Sequence, residues 1–240
     1  MYKKVSIVIP AYNEIRTLAE TVRRTLAADT LGLEKEVILV DNFSTDGTRE
    51  LMQKLEREAC VKIILHEKNL GVGTSRRDGI AASSGEIIIR QDADLEYQPE
   101  DFSTLLQPIL DGRVKIVYGS RILGFSKSKY RYKMYLWGGL LVNKLCTLII
   151  GVRLTDILTA SKVFERAIFE KFDLESEHFE IEAELTAKAT RAGFKILEVP
   201  ITYKARSFEE GKSIRWHHAF GLLKAALRHR FFTPLRRPRA

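Results

Sequence analysis

Glu86-Ile87-Ile88-Ile89-Arg90, running into Gln91-Asp92-Ala93-Asp94-Leu95-Glu96, is the stretch on which the fold of this chain turns. Its first half is apolar and short, the pattern of a strand buried on both faces. Its second half places three carboxylates at alternating positions, just where that strand must run out. Carboxylates this close repel one another unless a hard cation or free solvent relieves them. Two readings compete here. One is a loop holding a divalent cation at the carboxyl end of a parallel strand, where open α/β sheets place their ligands. The other is an acidic loop capping the helix that starts near Pro99.

Outward from this point, strand and helix signals alternate. Residues 5–9, 36–40, 61–65, 87–89 and 114–118 are strand-like. Between them, Ile15, Leu18, Ala19, Val22 and Leu26 recur at helical spacing, as do Leu51, Met52 and Leu55. Ser44-Thr45-Asp46-Gly47 offers helix-capping chemistry, and residues 99–110 predict a further helix. The alternation predicts an α/β fold, with a mostly parallel central sheet and helices on both faces. Asn69-Leu70-Gly71-Val72-Gly73 lacks the Lys-Ser/Thr of a P-loop and the glycine spacing of a dinucleotide fold, so it reads as a tight turn with close helix packing.

The second half differs. Residues 134–152 are strongly apolar but broken at the centre by Asn143-Lys144, which favours a buried or membrane-surface helix over a span. Residues 176–192 predict a helix, and residues 194–199 and 201–203 two short strands. Residues 214–232 set Trp216, Phe220, Leu223, Leu227 and Phe231 on one stripe, with Arg228, His229 and Arg230 interleaved. The expected organisation is one main α/β unit over residues 1–213 and a basic amphipathic C-terminal helix and tail over 214–240.

With 39 basic and 31 acidic residues the net charge is +8, concentrated toward the end of the chain. A basic end suits nucleic acid, an anionic membrane or a phosphorylated substrate. Nucleic acid fits worst, because the cations sit beside apolar stripes and not on a groove-reading motif. Cys60 and Cys146 show no metal-ligand spacing, and the N-terminus shows no signal-peptide pattern. The expectation is a cytoplasmic protein, peripherally attached to membrane, without a transmembrane span. Nucleotidyltransferases, which place a Gly-rich motif after the first strand, fit poorly with Pro10-Ala11-Tyr12-Asn13-Glu14.

Several segments in order carry a resemblance: IVIPAYNE (residues 7–14), EVILVDNFSTDGT (36–48), NLGVGTSRRDGI (69–80), QDADLEYQPED (91–101), GSR (119–121) and FEIEAELTAKATRAGFKILEVPITYKAR (179–206). Together they resemble a family-2 inverting glycosyltransferase, more narrowly the dolichyl- or polyprenyl-phosphate mannosyl- and glucosyltransferases. The resemblance implies a GT-A fold, a nucleotide-sugar donor with GDP-mannose favoured, and a polyprenyl or dolichyl phosphate acceptor. It also implies that Pro10, Tyr12, Glu14 and Asp41 line the nucleotide pocket. Asp92, Ala93 and Asp94 match the DXD element for metal and diphosphate, with Glu96 a third carboxylate for Mg²⁺ or Mn²⁺.

By the same resemblance Arg121, Arg131, Arg206 and Lys212 reach donor or acceptor phosphates, and Asp156 stands on the acceptor side. Asp156 abstracts a proton if the acceptor is a hydroxyl, and only positions groups if it is an already ionised phosphate. Four departures stand out: Asn42 for a common second Asp, Glu96 for Gln, Thr159-Ala160-Ser161 for a Ser-Gly-Phe element, and Gly211-Lys212-Ser213-Ile214 for a Gly-x-Ser-Lys turn. The alternatives that remain are a UDP-sugar transferase acting on a sugar hydroxyl in polysaccharide synthesis, and a non-catalytic nucleotide-sugar-binding subunit.

Overall fold

A computed structural model describes residues 2–57, 60–127, 133–206 and 218–233. Arg131, Lys212 and Trp216 therefore lie outside the described residues. The strands are β1 (Lys4–Ala11), β2 (Glu34–Asp41), β3 (Val61–Leu65), β4 (Ile87–Arg90), β5 (Ile116–Ser120), β6 (Lys162–Glu165) and β7 (Ile196–Pro200). The helices are α1 (Leu18–Ala27), α2 (Thr48–Leu55), α3 (Val72–Ala81), α4 (Phe102–Leu110), α5 (Lys133–Ile150), α6 (Arg166–Phe169), α7 (Ile181–Arg191) and α8 (His218–Leu227), the last running into a π turn, Arg228–Phe232.

The sheet runs in the order β3-β2-β1-β4-β6-β5-β7. Neighbours are parallel except β6, which is antiparallel to both β4 and β5. Alternate residues feed two cores, as the twofold strand period requires. Val5, Ile7, Ile9, Val37 and Leu39 pack with Leu18, Met52 and Leu106 on one face. Val8, Ile88, Tyr118 and Phe164 pack on the other with Ile80, Cys146, Ile150, Leu185 and Ala226. Each fully buried aliphatic side chain contributes on the order of 1.5–3 kcal/mol. The β4 positions are buried on both faces, which explains the unbroken Ile87-Ile88-Ile89 run.

Two expectations need correction, and one strand was not anticipated. The antiparallel β6 had no visible signal, being four residues long and opening on a lysine. Helix α7 starts at Ile181 and not near Ser176. The backbone N–H groups of Glu175 and Ser176 donate to the Glu184 carboxylate at 3.0 and 2.9 Å, which holds the approach as a loop. The two short strands expected over 194–203 are one strand, β7, followed by an isolated Tyr97–Tyr203 bridge. The C-terminal helix is built into the second core, where Leu222, Ala225 and Ala226 are buried. Among the described residues no helix is long and apolar enough to cross a membrane.

Candidate active site

A cleft of about 1020 Å³ opens at the carboxyl ends of β1, β2 and β4. Its first wall is the end of β1. Pro10, Ala11, Tyr12, Asn13 and Glu14 line it, with Tyr12 half exposed. Asn13 takes a left-handed backbone (φ 57°), and its side-chain oxygen accepts from the Thr45 N–H at 2.9 Å. The Ile15 N–H donates to Asp46 at 3.1 Å, and the Glu14 N–H to the Thr48 hydroxyl at 2.9 Å. Asp46 also accepts from the Thr48 N–H and hydroxyl. Burial works against its charge, yet these hydrogen bonds prevail and lower its pKa. The loop that presents Tyr12 is thus stitched to the start of α2.

The second wall is the acidic run. Asp92 lines the cleft and accepts from Arg76 Nη2 at 3.0 Å through Oδ1, while Oδ2 has no hydrogen-bond partner among the described residues. Arg76 is buried and forked, its Nη1 donating to Glu182 at 2.5 Å. Glu182 also takes Arg90 and Lys162, so one carboxylate serves three buried cations. Desolvation raises the pKa of Glu182, but Arg90, Lys162 and Arg76 outweigh it and hold it ionised. Burial pulls Lys162 down, opposed by Glu182.

Asp94 shares the cleft. Its Oδ1 accepts from the Glu96 N–H at 3.0 Å and its Oδ2 from Arg206 at 3.1 Å. Burial and the neighbouring Glu96 and Asp92 charges push its pKa well above the carboxylate range, against the pull of Arg206. An oxygen-only donor set, crowded with like charge and with an open Asp92 oxygen, fits a hard divalent cation. Arg206 spans the cleft, donating both Nη atoms to Glu14 at 2.9 Å as well.

The remaining expected site residues stand elsewhere. Glu96 is turned from the cleft: Oε2 accepts from Tyr203 OH at 2.8 Å and Oε1 from the Arg206 N–H at 2.7 Å. It organises the segment that carries Arg206. Asp41 is fully buried, accepting from the Ser44 N–H at 3.1 Å and Arg49 Nε at 2.8 Å, so it secures the turn after β2 and does not line the cleft. Asn42, its neighbour, does line it, and bonds Asn69 Oδ1 at 3.0 Å.

Asp156 and Arg121 form a bidentate pair at 2.7 and 2.8 Å, reinforced by the Arg121 N–H at 3.0 Å, and neither lines the cleft. Burial opposes the Arg121 charge, but Asp156 prevails and raises its pKa well above the usual value. The Arg121 guanidinium also lies over the Tyr203 ring, 5.2 Å from its centroid. Tyr203 therefore joins this pair to Glu96 and the acidic run.

Residues 6–173 match the model of the family described as "Glycosyl transferase family 2". The chain belongs to glycosyl transferase family 2. A dolichol-phosphate mannosyltransferase from Pyrococcus furiosus is 31% identical over 214 residues, covering 87% of this chain and 59% of the relative. An undecaprenyl-phosphate 4-deoxy-4-formamido-L-arabinose transferase from Salmonella dublin is 42% identical over 113 residues, 46% of this chain and 35% of the relative. The chain thus spans about three-fifths of the first of these family-2 relatives and about a third of the second. Among solved structures, glucosyl-3-phosphoglycerate synthase from Mycobacterium tuberculosis, in complex with Mn²⁺, uridine diphosphate and phosphoglyceric acid, superposes with a TM-score of 0.71. It is 21% identical and covers 97% of this chain and 80% of that one. That likeness establishes the GT-A fold.

The Arg76–Glu182 brace and the cleft residues His178, Phe179 and Lys204 escaped the sequence reading, in which Asp46 stood only as helix-capping chemistry. One signal was available for the first: Arg76 and Glu182 both fall inside family motifs. A further cluster, Glu175, Glu184 and His229, brings ligand atoms within 4.8 Å of one another. Lys188 Nζ lies 2.5 Å from Glu184 and supplies the positive charge there, so this cluster is an ion-pair network under α8.

Proposed function

We propose that the chain is an inverting transferase that moves a sugar from a nucleotide-sugar, GDP-mannose favoured, to a polyprenyl or dolichyl phosphate. One observation carries the reading. At the carboxyl mouth of β4, the cleft-lining Asp92 has one oxygen without a partner among the described residues while a buried arginine braces its other oxygen, and a charge-crowded Asp94 stands two residues on. Asp92 and Asp94 would hold Mg²⁺ or Mn²⁺, which supplies charge neutralisation at a departing diphosphate. Glu96 stays outside that ligand set and positions Arg206. Tyr12, Pro10 and Glu14 wall the base side, and Arg206 is the described cation best placed for a donor phosphate.

The acceptor follows from what the two curated relatives share. Their names differ in the sugar moved and agree on an isoprenoid phosphate. A phosphate monoester is largely ionised at neutral pH and needs no base to attack the anomeric carbon. That matches an Asp156 whose two oxygens are both engaged by Arg121, since taking a proton there would break a buried ion pair. Asp156 then positions Arg121. An acceptor carried in a bilayer also calls for peripheral membrane attachment.

The test supplies Mg²⁺ or Mn²⁺, a panel of GDP- and UDP-sugars and a short-chain polyprenyl phosphate, and looks for radiolabelled glycolipid. Glycolipid is expected from one donor and not the rest. Asp94→Ala should lower turnover by about 100-fold or more, the scale of losing one preorganised electrostatic partner. Retained activity would remove the metal assignment. Transfer only to a sugar hydroxyl would install the polysaccharide reading, and donor binding without turnover the non-catalytic one.

A further inference from the structure

The outer faces of α5 and α8 form an apolar surface that the proposed chemistry does not use. On α5, Trp137, Leu141, Leu145 and Leu148 are exposed, Trp137 at 69% and Leu148 at 78%. Their spacing confines them to a stripe roughly 80° wide on the helix. On α8 and its π turn, Phe220, Leu227, Phe231 and Phe232 are exposed, Phe232 at 80%. Both helices bury their inner faces in one core, through Cys146 and Ile150 from α5 and Leu222, Ala225 and Ala226 from α8. The two helices also pack against one another, so their exposed stripes lie on adjoining elements. Scattered exposed apolar residues are ordinary, but two adjoining stripes are not.

Charge identifies what covers them. Neither α5 nor the segment 218–232 contains a carboxylate. Lys144 is exposed beside the α5 stripe, and Lys224 and Arg228 are exposed within that of α8. Arg228 also pairs with Glu175 at 2.9 Å. The core of a protein–protein interface is depleted in charge, and lysine above all. Apolar side chains interleaved with cations suit the boundary between acyl chains and anionic headgroups.

The side of α5 opposite the stripe bears on the reaction. Asn143 stands roughly 200° around the helix from the stripe's centre. Its Nδ2 donates to the Thr155 carbonyl at 2.7 Å, and its Oδ1 accepts from the Ile157 N–H at 2.7 Å. The one buried polar side chain among the described positions of α5 thus brackets Asp156. We propose that the α5–α8 face lies on an anionic bilayer and that Asn143 holds the Asp156–Arg121 loop in fixed relation to that plane. This rests on the lipid-phosphate reading and adds to it the surface by which the enzyme meets its acceptor.

The experiment is co-sedimentation of the full chain with vesicles of phosphatidylcholine, alone or mixed with phosphatidylglycerol, at low and high salt. Wild type should bind the anionic vesicles, and more weakly as salt rises. The double variant Leu141→Asp, Leu148→Asp should lower binding by about tenfold or more per aspartate. It should keep wild-type turnover on a short, water-soluble prenyl phosphate without vesicles. If that variant fails to fold, Lys144→Gln with Lys224→Gln should weaken binding to anionic vesicles by about fivefold per charge removed. Unchanged binding by the variants would overturn the proposal. So would a wild type that ignores both vesicles, including one that runs as a dimer split by the aspartates, which would assign the face to a second copy. Vesicle binding without transfer to any polyprenyl phosphate would instead defeat the proposed activity and leave the docking face standing.

Discussion

Asp92 and Asp156 each meet a buried arginine, and the two arginines leave them in opposite conditions. Arg76 takes one oxygen of Asp92 and turns its other nitrogen inward to Glu182. Arg121 takes both oxygens of Asp156 and adds its own backbone N–H. The first carboxylate is held from behind and open in front. The second is closed. A braced, half-open carboxylate can meet a ligand without reorganising, whereas a closed one must first surrender an ion pair. The pairing of a carboxylate with an arginine is therefore not enough to read function; the geometry of the fork decides it.

The largest expected effect comes from removing the brace. Glu182→Gln leaves Arg76, Arg90 and Lys162 buried with their shared counter-charge gone. Breaking a buried ion pair costs about 3–5 kcal/mol, so the urea midpoint should fall by that equivalent. Donor affinity of the surviving folded fraction should fall as well, because Arg76 loses the partner that orients it toward Asp92. Calorimetric titration with a nucleoside diphosphate and Mn²⁺ separates the two effects. A stable variant with wild-type affinity would show that Asp92 needs no brace.

Asp156→Asn attacks the closed member. Arg121 loses its bidentate partner beside Tyr97 and Tyr203, and a loss of about 3 kcal/mol in stability is expected. With a phosphate acceptor, kcat should drop by no more than about tenfold, with the change falling mainly on acceptor KM. A general base would behave differently, losing about 100-fold or more in kcat together with the acidic limb of the pH–rate profile. That outcome would return Asp156 to the reacting atoms and favour a hydroxyl acceptor.

This contrast also marks what was legible beforehand. The strands around Asp92 announce themselves through unbroken aliphatic runs, and the acidic run follows one of them directly, so its place at the sheet's mouth could be read from order alone. Nothing local to Asp41 reveals that Arg49, the second residue of α2, folds back to close it. Nothing local to Asp156 reveals Arg121, 35 positions earlier. Buried charges look like surface charges in a sequence, since what separates them is a partner supplied by tertiary structure. For the same reason β6 was missed: Lys162 opens a strand that Glu182, the Ile157 carbonyl and the Tyr118 ring make tolerable in the core. The C-terminal helix could be read two ways because one side is apolar and buried in the second core while the other is apolar and exposed.

Glu36 calibrates the comparison, being a closed carboxylate at the end of the sheet away from the cleft. Its oxygens accept from the Ser6 hydroxyl at 2.5 Å, Lys62 at 2.6 Å, and the Ser84 N–H and hydroxyl at 2.8 and 2.9 Å. Burial pushes its pKa up, but Lys62 and the Ser6 and Ser84 hydrogen bonds together bring it down to about 2, from an ordinary 4.5. The folded state therefore prefers the ionised form. Its contribution to stability is complete above the unfolded value and drains away as pH falls from 4.5 through about 2. Glu36→Gln should cost about 1–2 kcal/mol near neutrality, and the gap to wild type in chemical denaturation should narrow across that acid window. Turnover of the folded variant should be untouched, which sets the response expected of a carboxylate that only holds structure. If Asp156→Asn responds as Glu36→Gln does, with stability lost and kcat nearly kept, the closed fork around Asp156 is architecture. A gap for Glu36→Gln that persisted undiminished at pH 3 would mean that its ionisation does not differ between the folded and unfolded chain.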